Sequence, residues 1–193
     1  MKIPRSWAVD PCLITRYDRT DVELESFLLF GMMVAGHDSM QMAVALIKFY
    51  QAGFEVVPEA KSPFELIRGL NKEGVLHDAL VVSSAGCYDQ LTRGFTEISE
   101  SGFNLRTCSM QDLEGIFKLG KKTVRFFLMH SRKGLRYAVL DVHILRYIRQ
   151  VLGYDGVKNQ PLCPKATPDK EARYQVFEKI FIEHANELSK QTG

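Results

Sequence analysis

Apolar positions in this chain recur mostly at three- and four-residue intervals, the spacing of one face of an α-helix; few stretches show the period of two that a half-buried strand requires. Residues 1–19 carry Pro4 and Pro11 and no sustained period, so they read as an arm packed on the body. Thr20 or Asp21 then caps a helix whose run 27–35 is apolar on all sides, as at the centre of a bundle, and which ends at Gly36. Asp38 caps a second helix over 39–52, with Met42, Ala45, Leu46 and Phe49 on one stripe and Gly53 as its stop. Ser62-Pro63-Phe64-Glu65 combines an N-cap, a proline at the first helical position and a capping-box glutamate. Further helices are predicted over about 75–84, 88–100, 110–117, 121–130, 142–152 and 169–188, punctuated by Gly86, Gly102, Gly120 and Gly153. Loops are short except 154–168, which holds three prolines. The expectation is an all-α fold of about nine helices.

Composition narrows the class. A chain of 193 residues, 46% hydrophobic and 25% charged, has the balance of an ordinary soluble globular protein with a real core. No window approaches the roughly 18 apolar residues of a membrane span. The first residues, Met1 to Trp7, lack the apolar centre of a secretion signal, so a cytoplasmic, nucleoid-associated place is expected, with no membrane partner. Cys12, Cys87, Cys108 and Cys163 are scattered with no C-x-x-C pair, which argues against a zinc or iron–sulfur site and for reduced, mostly buried thiols. No metal and no organic cofactor is expected. A net charge of +2 is too small to announce a nucleic-acid partner.

The distribution of charge says more than its sum. Segment 112–148 reads DLEGIFKLGKKTVRFFLMHSRKGLRYAVLDVHILRYI. Two short helices meet at Lys118-Leu119-Gly120-Lys121, with Ile116 and Leu119 before the turn and Val124 and Phe127 after it to lock the angle. Backbone N–H groups at such a turn point outward unpaired, and the helix dipole favours an anion there. Gly120 lets a phosphate approach the backbone. Lys118, Lys121, Lys122, Arg125, Arg132, Lys133 and Arg136 follow one another with no acidic residue between them, a local footprint for DNA phosphates.

This segment resembles the hairpin and catalytic block of the helix-hairpin-helix DNA glycosylases, nearest to the 8-oxoguanine glycosylases that are also AP lyases. In that family a lysine begins the second hairpin helix and an aspartate follows nineteen positions later in a D-x-H context; Lys122 and Asp141-Val142-His143 stand at that spacing. Upstream, 27–49 resembles the family's paired helices, whose connecting turn, here Gly36-His37-Asp38-Ser39, lies against the minor groove. Two positions depart from the pattern: Lys118 stands where the first hairpin glycine is usual, and Phe117 where some members carry proline.

The resemblance implies one glycosylase domain over 1–193 with a DNA-binding cleft between two helical subdomains. The central one covers about 38–133; about 1–37 and 134–193 form the other. It implies duplex DNA with a damaged or modified base as partner, oxidised guanine first, and a monomer suffices. Asp141 would stabilise the positive charge that develops on the sugar as the N-glycosidic bond breaks. Lys122 would attack C1′ and form a Schiff base. The attacking amine must be neutral, and Lys121, Arg125 and the positive helix end beside it push it that way. Lys118, Leu119, Gly120, Lys121, Arg125 and His143 would contact DNA, with His37 and Asp38 filling the gap left by a flipped base. Asp141 is equally suited to cap the helix starting at Val142. Two other functions fit the same residues: a non-catalytic lesion-binding module, and a monofunctional glycosylase in which Asp141 activates water.

Overall fold

The computed structural model describes residues 3–156 and 161–192. Those residues form nine α-helices and no strand: α1 Asp21–Val34, α2 Ser39–Val56, α3 Pro63–Lys72, α4 Leu76–Ser83, α5 Tyr88–Glu100, α6 Met110–Glu114, α7 Lys121–Ser131, α8 Val142–Gln150 and α9 Glu171–Thr192. The all-α expectation holds. A single 3₁₀ turn, Arg5–Trp7, interrupts the arm. Positions 157–160 of the proline-containing loop, Met1, Lys2 and Gly193 lie outside the described residues.

Local chemistry starts most of these helices. The Thr20 side chain accepts from Glu23 N–H while the Glu23 carboxylate takes Thr20 N–H at 2.8 Å, a complete capping box. Asp38 Oδ1 accepts from Gln41 N–H at 2.9 Å. At α3, Ser62 caps Glu65 N–H, but the Glu65 carboxylate reaches Lys61 N–H, one residue further out than a capping box predicts. Glu25, on α1, takes Phe64 N–H at 2.9 Å, so α1 supplies a further cap to α3.

α1 lies at the centre, as its apolar run predicts: Phe27, Leu28, Leu29, Phe30, Met32 and Met33 are all buried, and α2, α3, α5 and α7 pack around it. Gly53 does not stop α2, which continues to Val56. A Cβ there would come within 2.8 Å of Leu66 Cδ2, so the glycine serves the close crossing of α2 and α3. The predicted helix 110–117 is also shorter, ending at Glu114. Phe117 N–H, which a continuing helix would give to Leu113, goes to the Glu97 carboxylate at 2.7 Å, and the chain unwinds into turns.

The buried apolar residues fall into two clusters. The larger runs from Trp7 to Leu128, taking in the arm and α1 together with α2 to α7. The smaller joins Ala138, Leu140, Leu145, Ile148, Cys163, Tyr174 and Phe177 around α8 and α9. Of residues 1–37, expected beside 134–193, the described ones from Ile3 on share their core with the central helices. Arg19 explains the attachment of the arm: its buried guanidinium donates to the carbonyls of Ile14, Arg16 and His130 and lies 3.9 Å over the Phe27 ring. Cys108 and Cys163 are buried and Cys12 and Cys87 exposed, so only half of the thiols meet the expectation of burial.

Candidate functional site

The hairpin turn between α6 and α7 is held from behind by α5. Gln90, Gly94 and Glu97, one face of that helix, carry the turn. Gln90 Oε1 accepts from Lys118 Nζ at 2.8 Å, Glu97 takes Phe117 N–H, and a Cβ at Gly94 would stand 2.7 Å from the Phe117 carbonyl oxygen. Arg93 pairs with Glu97 at 2.8 Å and lies 4.1 Å over the Phe117 ring. The hydrogen bonds from Arg93 and from Phe117 N–H hold the Glu97 carboxyl below the usual range. The α5 face is absent from the sequence-based site, because its i, i+4, i+7 spacing is that of any helix face.

This bracket supports an unusual backbone. Lys118 has φ +72°, the left-handed region that costs a non-glycine residue about 1–3 kcal/mol. The hairpin thus takes a glycine-like conformation at Lys118. Leu119 is buried beneath it, leaving only its backbone for a ligand. Gly120 is the N-cap of α7 with ordinary φ, no side chain caps the helix, and a Cβ there would meet nothing within 4 Å. Among the described residues nothing approaches closely enough to require that glycine.

Residues 118–123 form one wall of a cleft of about 550 Å³, within the roughly 300–1,000 Å³ of small-molecule sites. Ala35 and Glu114 add to it, and Thr167, Pro168 and Asp169 line it from the segment before α9. Lys122 is half-buried on that wall. Thr167 Oγ1 donates to the Leu140 carbonyl at 2.8 Å, which ties the lining segment to the residue before Asp141. Asp141 Oδ1 caps α8, accepting from His143 N–H at 2.9 Å and Ile144 N–H at 2.8 Å; Oδ2 accepts no hydrogen bond among the described residues.

The other site residues divide. His37 and Asp38 are exposed just past Ala35, with His37 beside Gly86 and Asp38 capping α2. His143 is exposed but lines a different groove, between α8 and α9, with Ile144, Tyr147, Phe181 and His184. Arg125 is corrected outright as a DNA contact. It is 1% exposed, and its guanidinium donates to Glu114 at 3.0 Å, Glu171 at 2.5 Å and Glu178 at 3.1 Å. Lys121 turns the same way, with Nζ 2.8 Å from Glu114 and 2.9 Å from Glu171. Arg132 is spent on the Leu105 carbonyl and Cys108 Sγ.

The uninterrupted run of cations is therefore partly neutralised from other helices. The surroundings of Lys122 are not uniformly positive. Burial drives Arg125 down but Glu178 and Glu171 outweigh it, so its guanidinium is held above its ordinary value. Burial likewise pushes Glu171 up, and the hydrogen bonds from Lys121 and Arg125 more than reverse this. The Glu114 hydrogen bond raises Lys121.

Among the described residues no cluster of His, Cys, Asp and Glu is suited to hold a metal, and no helix is long and apolar enough to cross a membrane. No family model, curated protein or solved structure matches the chain.

Proposed function

We propose that the protein is a DNA base-excision glycosylase with AP lyase activity, acting in the cleft beside the hairpin. The observation that carries this reading is the bare start of α7: an uncapped helix terminus, an open glycine and Lys122, all on one cleft wall. A phosphate at Gly120 would accept from the free N–H groups and draw on the helix dipole. A nucleotide flipped from the duplex would enter the cleft, with two helical units closing on it from either side. Lys122 would then attack C1′, expelling the base with its bonding electron pair. Ring opening gives the Schiff base, and loss of the C2′ proton expels the 3′ phosphate.

Asp141 would supply the opposing negative charge. Its cap bonds fix Oδ1 and leave Oδ2 free to face an oxocarbenium-like sugar. The substrate base is taken first as oxidised guanine, and DNA containing it as the partner.

One observation favours a second reading. Glu114, Glu171 and Glu178 offset the charge of Lys121 and Arg125, so Lys122 would serve equally as a plain cation on a phosphate. Asp141 would then activate water in a monofunctional glycosylase.

Borohydride trapping separates the two. The purified protein is incubated with duplexes carrying 8-oxoguanine or an abasic site, and Lys122→Gln is run alongside. The lyase reading expects a covalent adduct that Lys122→Gln abolishes. Base release without any adduct supports the monofunctional enzyme, and binding with neither supports a lesion-binding module.

A further inference from the structure

The apolar interiors of the two clusters do not merge. Leu135 and Tyr137 lean on the larger one, and a set of ion pairs joins α7 to α9. Arg125 stands at its centre, three residues beyond Lys122 on α7, which puts the two on neighbouring turns. Its three carboxylate partners come from different places: Glu114 from α6, the first helix of the hairpin, and Glu171 and Glu178 from α9. Glu178 Oε1 also accepts from Ala138 N–H at 3.0 Å. Tyr174, whose ring lies 4.1 Å from the Arg125 guanidinium carbon, donates its hydroxyl to the Ala138 carbonyl and accepts from Leu140 N–H. A chain of contacts therefore runs from α7 through Arg125 to α9, and from α9 to the segment that ends in Asp141.

We propose that Arg125 is a positioning residue: its buried fork, bonded to Glu114, Glu171 and Glu178, holds α7, which carries Lys122, in register with α9 and the segment that ends in Asp141, without touching DNA. The proposal rests on the glycosylase reading for its functional meaning. Arginine suits the task because its planar guanidinium offers five donors in a fixed fork, whereas a lysine presents a compact ammonium that cannot keep three carboxylates apart. Tyr174 passes the constraint on. Glu178 does so too, through a single oxygen shared by Arg125 and Ala138.

The test uses Arg125→Lys, which keeps the charge, and Tyr174→Phe, which keeps the ring and removes only the hydroxyl. Both are assayed below their melting transitions for binding to a duplex with a tetrahydrofuran abasic analogue, and for single-turnover trapping on a natural abasic site at saturating protein. The expected result is a dissociation constant within about threefold of the parent and a trapping rate at least tenfold lower. A purely structural role would leave the saturated rate of the folded fraction unchanged, and that outcome overturns the proposal.

A second readout needs no activity. Spin labels at Lys48→Cys on α2 and Lys179→Cys on α9, with Cys12 and Cys87 replaced by serine, report the spacing of the two units. A narrow distance distribution in the parent that broadens in Arg125→Lys supports the proposal; the same distribution in both overturns it. Should the parent trap no abasic DNA, the lyase reading falls while the label distances still decide whether Arg125 fixes the join.

Discussion

The starts of α7 and α8 carry the two residues of the candidate site and are built in opposite ways. α8 begins under Asp141, whose Oδ1 takes two backbone N–H groups, as Thr20, Asp38, Ser62 and Ser109 cap α1, α2, α3 and α6. α7 begins at Gly120 with no side-chain cap at all. A capping side chain contributes about 1 kcal/mol, so this terminus leaves stability unused at the place where a glycine is otherwise unneeded. One helix start is complete and offers a fixed carboxylate; the other is incomplete and offers donors. The difference is the one the proposed glycosylase would use, with donors for a phosphate at the start of α7 and a fixed carboxylate at the start of α8.

The largest effect on rate expected from breaking this contrast is on the capped side. Asp141→Asn keeps a good N-cap and removes only the charge, so melting should hardly move while base release falls by about 10²–10³-fold, the scale of losing one electrostatic stabiliser. Base-release kinetics beside a melting curve check both halves. Arg125→Met strikes the support of both starts. It leaves Glu114, Glu171 and Glu178 without their shared cation, and a loss of about 3–5 kcal/mol in unfolding free energy is expected by denaturant titration.

Gly94→Ala presses a methyl group against the Phe117 carbonyl oxygen, a backbone atom that cannot swing aside. An overpacking cost of about 1–3 kcal/mol is expected, with weaker DNA binding because the hairpin is displaced. Acid should act through the same network. The folded Glu171 carboxyl titrates below its ordinary range, so the stability it contributes is present above the unfolded value and is lost as pH falls through the lower, folded one. Unfolding midpoints should drop as pH is taken down through and below the ordinary carboxylate range, and less so in Glu171→Gln. The smallest effect is at the bare terminus itself: Gly120→Ser should raise stability by a few tenths of a kcal/mol while weakening binding to undamaged duplex.

Much of the scaffold was legible because it is local. The all-round apolar run of α1 and the Thr20, Asp38 and Ser62 caps all lie within a turn or within one segment, where pattern and structure are the same statement. Arg125 was not legible. Its partners Glu171 and Glu178 lie 46 and 53 positions away, and a run of cations in sequence carries no sign of the anions that fold onto it. Gly94 was missed for a related reason: a glycine inside a helix marks a close approach only once the approaching chain, here Phe117 and Lys118, is known. Lys118 shows the converse, since its left-handed backbone follows the hairpin and the α5 bracket against its own preference.

The most direct measurement is to digest the borohydride-trapped adduct on abasic DNA and locate the modified lysine by mass spectrometry. Three lysines stand on the cleft wall, Lys118, Lys121 and Lys122, and two of them are engaged by Gln90 or by Glu114 and Glu171. The account predicts a single modified peptide with the deoxyribose remnant on Lys122. A remnant on Lys118 or Lys121, or on a lysine away from the cleft, would contradict it.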